Sequence, residues 1–271
     1  MKISIILPSV RANRLQRFID SIDYSDYEVV LVSPNDLPDE IKDNRRIVYV
    51  RDFGSPVRCS QIALVLSSGD LVISGADDCC FYRNSLKELA QELITNNLDI
   101  LLMKYTEGGK VTPPNTIEME ARRKGTGVES FTECGAFIQP DYYFTYGASY
   151  PHRLVNSHNP IFNACLAKRS VMEELGGWDC NFQACPLAHA DFGVRAMNAG
   201  KYKIQWSNKL LCHCDAAEEP DNGDHSPIER AQSGPDTKLY RSKYDNGIHN
   251  NIDINNWKNA SRIWKERFYV I

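Results

Sequence analysis

Gly69-Asp70-Leu71-Val72-Ile73-Ser74-Gly75-Ala76-Asp77-Asp78 carries a short apolar run into two adjacent carboxylates. The run opens after a glycine, is too short for a helix and ends in turn chemistry, which predicts a buried strand with acidic groups at its carboxyl end. Oxygen ligands so placed suit a hard divalent cation, and Mg²⁺ or Mn²⁺ there could bridge a diphosphate. Taken alone, Asp77-Asp78 reads more readily as a solvated turn or a helix cap. What surrounds the pair decides the matter.

Upstream, residues 3–7 form a continuous apolar run closed by Pro8, the pattern of a strand buried on both faces. Leu15, Phe18, Ile19 and Ile22 follow with helical spacing. Residues 28–32 and 47–50 predict two more strands, and Ile62, Ala63, Val65 and Leu66 a buried helix before residue 71. Ser85 and Glu88 have capping-box spacing ahead of the apolar face Leu86, Leu89, Ala90, Leu93 and Ile94. Residues 99–103 predict a further strand. Repeated β-α units of this length predict an α/β fold, with a mostly parallel sheet covered by helices on both faces. Such sheets bind ligands beyond the carboxyl ends of their strands. That places Pro8, Ser9, residues 33–36, Ala76, Asp77 and Asp78 on one edge.

From about residue 106 to 159 the rhythm is lost, in a stretch with Pro113-Pro114, many aromatics and both His152 and His158. Its tyrosines suit either an acceptor platform or ordinary packing. A helix restarts at Ser170, with Glu173 as capping-box partner, and stops at Gly176-Gly177. Residues 215–229 hold six acids and no Lys or Arg, which predicts a mobile loop. Lys238, Arg241 and Lys243 follow as cations able to reach a bound diphosphate, with Trp257, Trp264 and Phe268 as anchors of a docking helix.

Composition narrows the classes. A net charge of −4 gives no reason to expect nucleic acid, and no apolar run approaches the roughly 20 residues that span a bilayer. The start lacks the features of a signal peptide, so the chain is expected to be cytoplasmic. Nine irregularly spaced cysteines do not read as a disulfide framework, and free thiols are the simpler expectation. Cys212-x-Cys214 has no second pair at a zinc-site spacing.

Five segments in order resemble family 2 glycosyltransferases. The stretch at 69–78 is similar to the family's Asp-x-Asp region. Residues 3–8 with Arg14-Leu15 look like its first strand and nucleotide-facing turn, where Pro8, Ser9 and Arg11 would contact the donor. Residues 54–62, with Arg58, resemble its Arg-containing helix start, although Cys59 and Gln61 replace the usual Asn and Gly. Residues 168–200, through Gly176-Gly177-Trp178-Asp179 and Asp191 to Arg195, look like its acceptor-side signature. Residues 204–213 resemble its closing strand, which ends on a metal- or phosphate-facing His213.

The resemblance covers about residues 2–215 and implies a GT-A fold, a nucleotide-sugar donor (UDP rather than GDP) and inverting transfer to a glycan, lipid or protein hydroxyl. It divides the chain into a GT-A domain at 1–214, whose nucleotide-sugar half is 1–103 and whose acceptor half is 104–214, and a C-terminal loop and docking helix at 215–271. Asp78 and His213 would hold Mn²⁺ or Mg²⁺, Asp77 would serve the ribose or the cation's outer shell, and Asp36 and Arg58 would contact base or phosphate. His213, between two cysteines, also suits zinc or a simple core histidine.

Two departures stand out. Gly75 occupies a position where the family often has Asp, and Ala188-His189 aligns with its acidic pair. The general base is therefore expected to be Asp191, with His189 as the alternative. Loss of catalysis with retained nucleotide or glycan binding is the first rival reading. A sugar-phosphate nucleotidyltransferase is the second, and the absence of glycine between Pro8 and Arg14 argues against it.

Overall fold

A computed structural model describes residues 1–107, 132–135, 162–214 and 232–244. Most of the aromatic-rich stretch, the acidic loop and the tryptophan-bearing end lie outside the described residues. The predicted strands at 3–7, 28–32, 47–50 and 71–74 are β1 (Ile3–Pro8), β2 (Tyr27–Ser33), β3 (Ile47–Arg51) and β4 (Leu71–Ser74). Helix α1 (Leu15–Asp20) follows β1, and α2 (Pro56–Leu66) precedes β4. After β4 come β5 (Cys79–Phe81), α3 (Ser85–Thr95) and β6 (Ile100–Glu107), then β7 (Thr132–Gly135) and β8 (Cys165–Lys168). The remaining elements are α4 (Arg169–Glu174), α5 (Cys185–Asn198), β9 (Ile204–Cys214) and, after a π-turn at Gln232–Asp236, α6 (Thr237–Tyr244).

The nine strands form one sheet in the order β3-β2-β1-β4-β8-β6-β9-β5, with β7 also on β6. The first four are mutually parallel. Strand β8 enters antiparallel between β4 and β6, and β9 runs parallel to β6. Strand alternation sorts the core into two layers. Ile3, Ile5, Leu7, Leu71 and Ile73 pack with Leu15 and Phe18 of α1 and Leu86 and Leu89 of α3. Ile6, Val30, Val32 and Val72 pack instead with Val57 and Leu64 of α2, Met172 of α4 and Phe192 of α5. Helices therefore cover both faces.

Neither capping box forms. Helix α3 starts from Asn84 in the left-handed region (φ 59°), and α4 starts from Lys168, both without a side-chain cap bond. Burial explains the first failure, because Ser85 is only 5% exposed and is drawn into the packed layer. The glycine stop after α4 does form, with Gly176 and Gly177 at φ 81° and 66°. A Cβ on Gly177 would lie 2.3 Å from the Gln61 Oε1 atom, so the turn is glycine-specific on two counts. That oxygen accepts from the Trp178 N–H at 2.6 Å, which links α2 to the acceptor-side segment. The unusual Gln61 thus has a structural duty.

Sequence patterning did not mark Glu28 as special, yet it is a buried anchor at the base of β2, only 6% exposed. It accepts from Lys2 Nζ and Ser4 Oγ at 2.6 Å each, and from the Ser68 N–H and Oγ. Burial pushes its pKa up, but these donors outweigh it and hold the carboxyl down at about 2. A depressed carboxyl contributes stability that is present above its ordinary value of 4.5 and is lost as pH falls toward 2. Glu28→Gln is expected to cost about 1.5–3 kcal/mol at neutral pH. Its thermal midpoint should also fall less steeply than that of the parent chain below pH 4.5. Parallel acid slopes for the two proteins would contradict this assignment.

Candidate functional site

The strand order reverses at β1, with β2 on one side and β4 on the other, and this defines a switch point where ligands gather in open α/β sheets. Two loops meet there, one after Pro8 and one after Ser74. Asp77 ties them together. Its Oδ2 atom accepts from Ser9 Oγ at 2.9 Å and from the N–H groups of Val10 and Arg11 at 3.0 Å each, while Oδ1 receives the Arg11 guanidinium at 2.6 Å. With both oxygens so engaged and the residue 5% exposed, Asp77 shapes the loop rather than offering an open ligand position.

Asp78 is turned differently. Its side chain is 27% exposed, and its Oδ2 atom lies 3.8 Å from Arg11 Nη1. Burial, the neighbouring Asp77 carboxylate and Cys79 push its carboxyl up to about 7, against Arg11 and Arg14. A crowded, proton-retaining carboxylate of this kind is one that a cation would relieve. Mg²⁺-type ions are commonly held by one or two carboxylates with phosphate oxygens supplying the rest, so the residue present fits such an ion in that limited form.

Gly75 explains one departure from the family pattern. A Cβ there would lie 3.0 Å from Phe18 and 3.1 Å from Ile5, a tight contact that those side chains would have to relieve by shifting. Packing at this point favours glycine over the acid that the family often carries.

The other expected donor contacts divide. Pro8, Ser9, Arg11, Ala76, Asp77 and Asp78 come together as the sequence implied. Arg58 stands at the start of α2, forked onto Asp52 with Nε and Nη2 at 3.1 and 2.9 Å, so its charge is locally matched. Asp36 pairs with Arg51 at 3.2 Å and its side chain is 82% exposed. Asn35, which sequence reasoning passed over, reaches the site instead by donating from Nδ2 to the Val10 carbonyl at 2.8 Å.

His213 is buried on β9, paired with Cys80 of β5. Among the described residues, Asp77, Asp78 and His213 do not bring three ligand atoms within 4.8 Å of one another; the set that does is Cys79, Cys212 and Cys214. Cys212-x-Cys214 has no second pair at a zinc-site spacing in the sequence, but the fold brings one distant cysteine to it. Cys79 is the partner, delivered by the β5–β9 pairing and not by sequence spacing.

On the acceptor side, the structure separates the two base candidates. Asp191 is fully buried, its Oδ2 atom 2.9 Å from Arg195 Nε and its Oδ1 atom engaged by Lys243 Nζ and Tyr244 Oη. Burial pushes its pKa up, but Arg195 and Lys243 more than reverse this and lower it. Both carboxylate oxygens are already engaged by buried donors, so Asp191, the expected general base, stands in the structure as a buried ionic anchor. Arg195 continues the network by donating to the carbonyls of Leu175 and Gly177.

His189 sits differently. Its Nδ1 atom lies 3.2 Å from the Phe162 carbonyl, and its ring lies edge-on to Trp178 at 4.9 Å. A carbonyl only accepts, so Nδ1 carries the hydrogen and Nε2 keeps a lone pair in the neutral ring. Burial outweighs that hydrogen bond and lowers the pKa to about 4. Phe162 leads into β8, whose antiparallel direction puts its start at the same sheet edge as the ends of β1 and β4. His189 therefore packs beside the segment that leads into β8. Ala188, where the family places an acid, is buried in the apolar layer.

The C-terminal cations also need correcting. Lys243 is 2% exposed and lies between Asp179 (2.8 Å) and Asp191, so it is not available to a diphosphate. Asp236, equally buried, accepts from the Gln183 and Ala184 N–H groups and so caps α5 from outside its own helix. Lys238 and Arg241 remain exposed.

The architecture is that of GT-A type α/β proteins. No protein-family model and no curated protein matches the chain. Among solved structures, Staphylococcus aureus TarS 1–349 is similar with a TM-score of 0.53 and 15% identity, over 79% of this chain and 60% of that one. TarS 1–349 in complex with UDP is similar at 0.53 and 14%, over 87% and 65%. Its complex with UDP-GlcNAc is similar at 0.50 and 14%, over 81% and 60%. This chain thus spans about 60% of the length of TarS 1–349. At such identities the likeness is one of fold. No helix among the described residues is long and apolar enough to cross a membrane.

Proposed function

We propose that the protein is a glycosyltransferase that takes a sugar from a UDP-type donor held at the β1–β4 switch point and passes it to an acceptor hydroxyl. The observation that carries this is the Asp77 clamp, which joins the loops after β1 and β4 and leaves Asp78 alone partly open beside them. Its support from outside the chain is the shared fold with a protein solved with UDP and with UDP-GlcNAc. Asp78, with His213 as the expected second ligand, would hold Mn²⁺ or Mg²⁺, whose charge would offset that of the departing diphosphate. Arg11 would steady the same phosphates. A proton acceptor on the acceptor side would complete an inverting displacement, and His189 fits that role better than Asp191. The rival reading of an inactive binder rests on Gly75 and Ala188; a neutral imidazole one residue after Ala188 speaks for catalysis.

Calorimetry with UDP and Mn²⁺ tests the donor site. Asp78→Ala is expected to remove Mn²⁺-dependent UDP binding while leaving the thermal midpoint close to that of the parent chain. Asp77→Asn is expected to lower donor affinity and thermal midpoint together, because it loosens both loops. Retained Mn²⁺-dependent binding in Asp78→Ala would sink the metal assignment. Turnover of UDP-sugars by the parent chain then separates an enzyme from a binder.

A further inference from the structure

Strands β5 and β9 pair antiparallel with Cys79 opposite Cys214 and Phe81 opposite Cys212. Residues two apart on a strand share a face, so Cys212 and Cys214 point the same way as Cys79, while Cys80 and His213 point the other way. The three sulfur atoms all lie within 4.8 Å of one another. None of these thiols is in a disulfide, Cys79 and Cys212 are buried, and Cys214 is partly so. We propose that Cys79, Cys212 and Cys214 form a binding site for a thiophilic cation, Zn²⁺, separate from the donor's cation at Asp78.

The chemistry selects the ion. Three thiolates on one face suit soft or borderline metals and not Mg²⁺ or Mn²⁺. Tetrahedral zinc with Zn–S bonds of about 2.3 Å sets sulfurs about 3.8 Å apart, which asks for little inward movement from the present spacing. Charge favours Zn²⁺ over Cu⁺. Three thiolates leave a net −1 around Zn²⁺ and −2 around Cu⁺, and excess negative charge is costly in a buried place next to Asp77 and Asp78. A water can take zinc's fourth position.

The Ala76 N–H lies 3.3 Å from Cys79 Sγ, a donor that would support the thiolate of a metal-bound Cys79. Cys79 and Cys212 lie within a largely aliphatic and aromatic layer, where a single buried thiol is ordinary packing; the convergence of three sulfurs is what points to a metal. A bound ion would pin β5 to β9 immediately after Asp78, and so hold the donor edge of the sheet.

Anaerobic titration of the reduced chain with Co²⁺, read by absorption, tests this. The expected result is one equivalent bound with thiolate-to-cobalt charge-transfer bands, displaced by stoichiometric Zn²⁺. Cys214→Ser, at the least buried of the three positions, should weaken that binding by a factor greater than about 100, since even outer-shell partners of a metal are worth 10–100-fold. Cys165→Ser, on β8 in the other layer, should leave it unchanged. Asp78→Ala should keep the charge-transfer bands, which makes this outcome independent of the donor-site assignment. Absence of those bands in the parent chain, or their persistence in a folded Cys214→Ser protein, would overturn the proposal.

Discussion

Lys243→Met is expected to lower the free energy of unfolding by about 3–5 kcal/mol, the usual cost of removing one partner from a buried ion pair. Lys243 Nζ lies between the carboxylates of Asp179 and Asp191, and all three residues are at most 4% exposed. Methionine fills a similar volume but leaves two buried anions short of a cation. Arg195 and Tyr244 still serve Asp191, and Asn181 still serves Asp179, which keeps the loss from being larger. The sign of the pH dependence follows from Asp191, whose pKa is lowered by Arg195 and Lys243 against its burial. Its contribution is present above the ordinary Asp range and fades as pH falls through its depressed value. The gap between parent and variant should therefore be widest near neutrality and narrow in acid. Urea unfolding at pH 7 and pH 4 would measure it, with Lys238→Met as the exposed control expected to stay within about 0.5 kcal/mol. Adding Asp179→Asn to Lys243→Met should recover part of the loss. A single-variant cost under about 1 kcal/mol at pH 7 would mean that the network does not anchor α6.

Most of the framework was legible from local pattern. The apolar runs of β1, β2 and β4 are buried on both faces, which is why they read so clearly without alternation. The edge of the candidate site was legible too, because Asp77 and Asp78 are adjacent in sequence and close a strand. What escaped was the particular side-chain partners that distant segments bring together. Cys79 meets Cys214 only through strand pairing, Asp236 caps a helix that begins 51 residues earlier, and Lys243 finds Asp191 across 52 residues. Local spacing cannot reveal such contacts. The charge of Lys243 suggested phosphate, whereas burial decided its partner. Glu28 was hidden for the same reason, since its donors come from β1 and from the turn before β4. Asp191 misled in another way. Its distance from Arg195 was read correctly, but an i, i+4 pair on a buried helix face is an internal ion pair before it is a catalytic one.

His189→Ala is expected to reduce sugar transfer by a factor on the order of 10² or more, with UDP affinity nearly unchanged. The Phe162 carbonyl fixes the hydrogen on Nδ1 and leaves Nε2 as the acceptor. Trp178 holds the ring edge-on, so its orientation is set before an acceptor arrives. With a pKa near 4, the imidazole is neutral throughout the physiological range and needs no deprotonation to act. The base form is lost only as pH falls through that value, so at saturating Mn²⁺ and donor, which would hold Asp78 ionised, turnover should be flat from about pH 6 to 8 and decline in acid well below the ordinary histidine range. A weak base of this kind works late, taking the proton once the forming bond to the anomeric carbon has made the hydroxyl acidic. Asp191→Asn should behave in the opposite way, lowering the thermal midpoint through the Lys243 network and losing activity only as the protein unfolds. His189→Gln separates shape from proton transfer, since its amide can occupy the space but cannot accept the proton. It is expected to be as slow as His189→Ala while restoring any lost stability. Full turnover in a folded His189→Gln protein would remove His189 from the reaction and return the search to the acceptor side of the sheet edge.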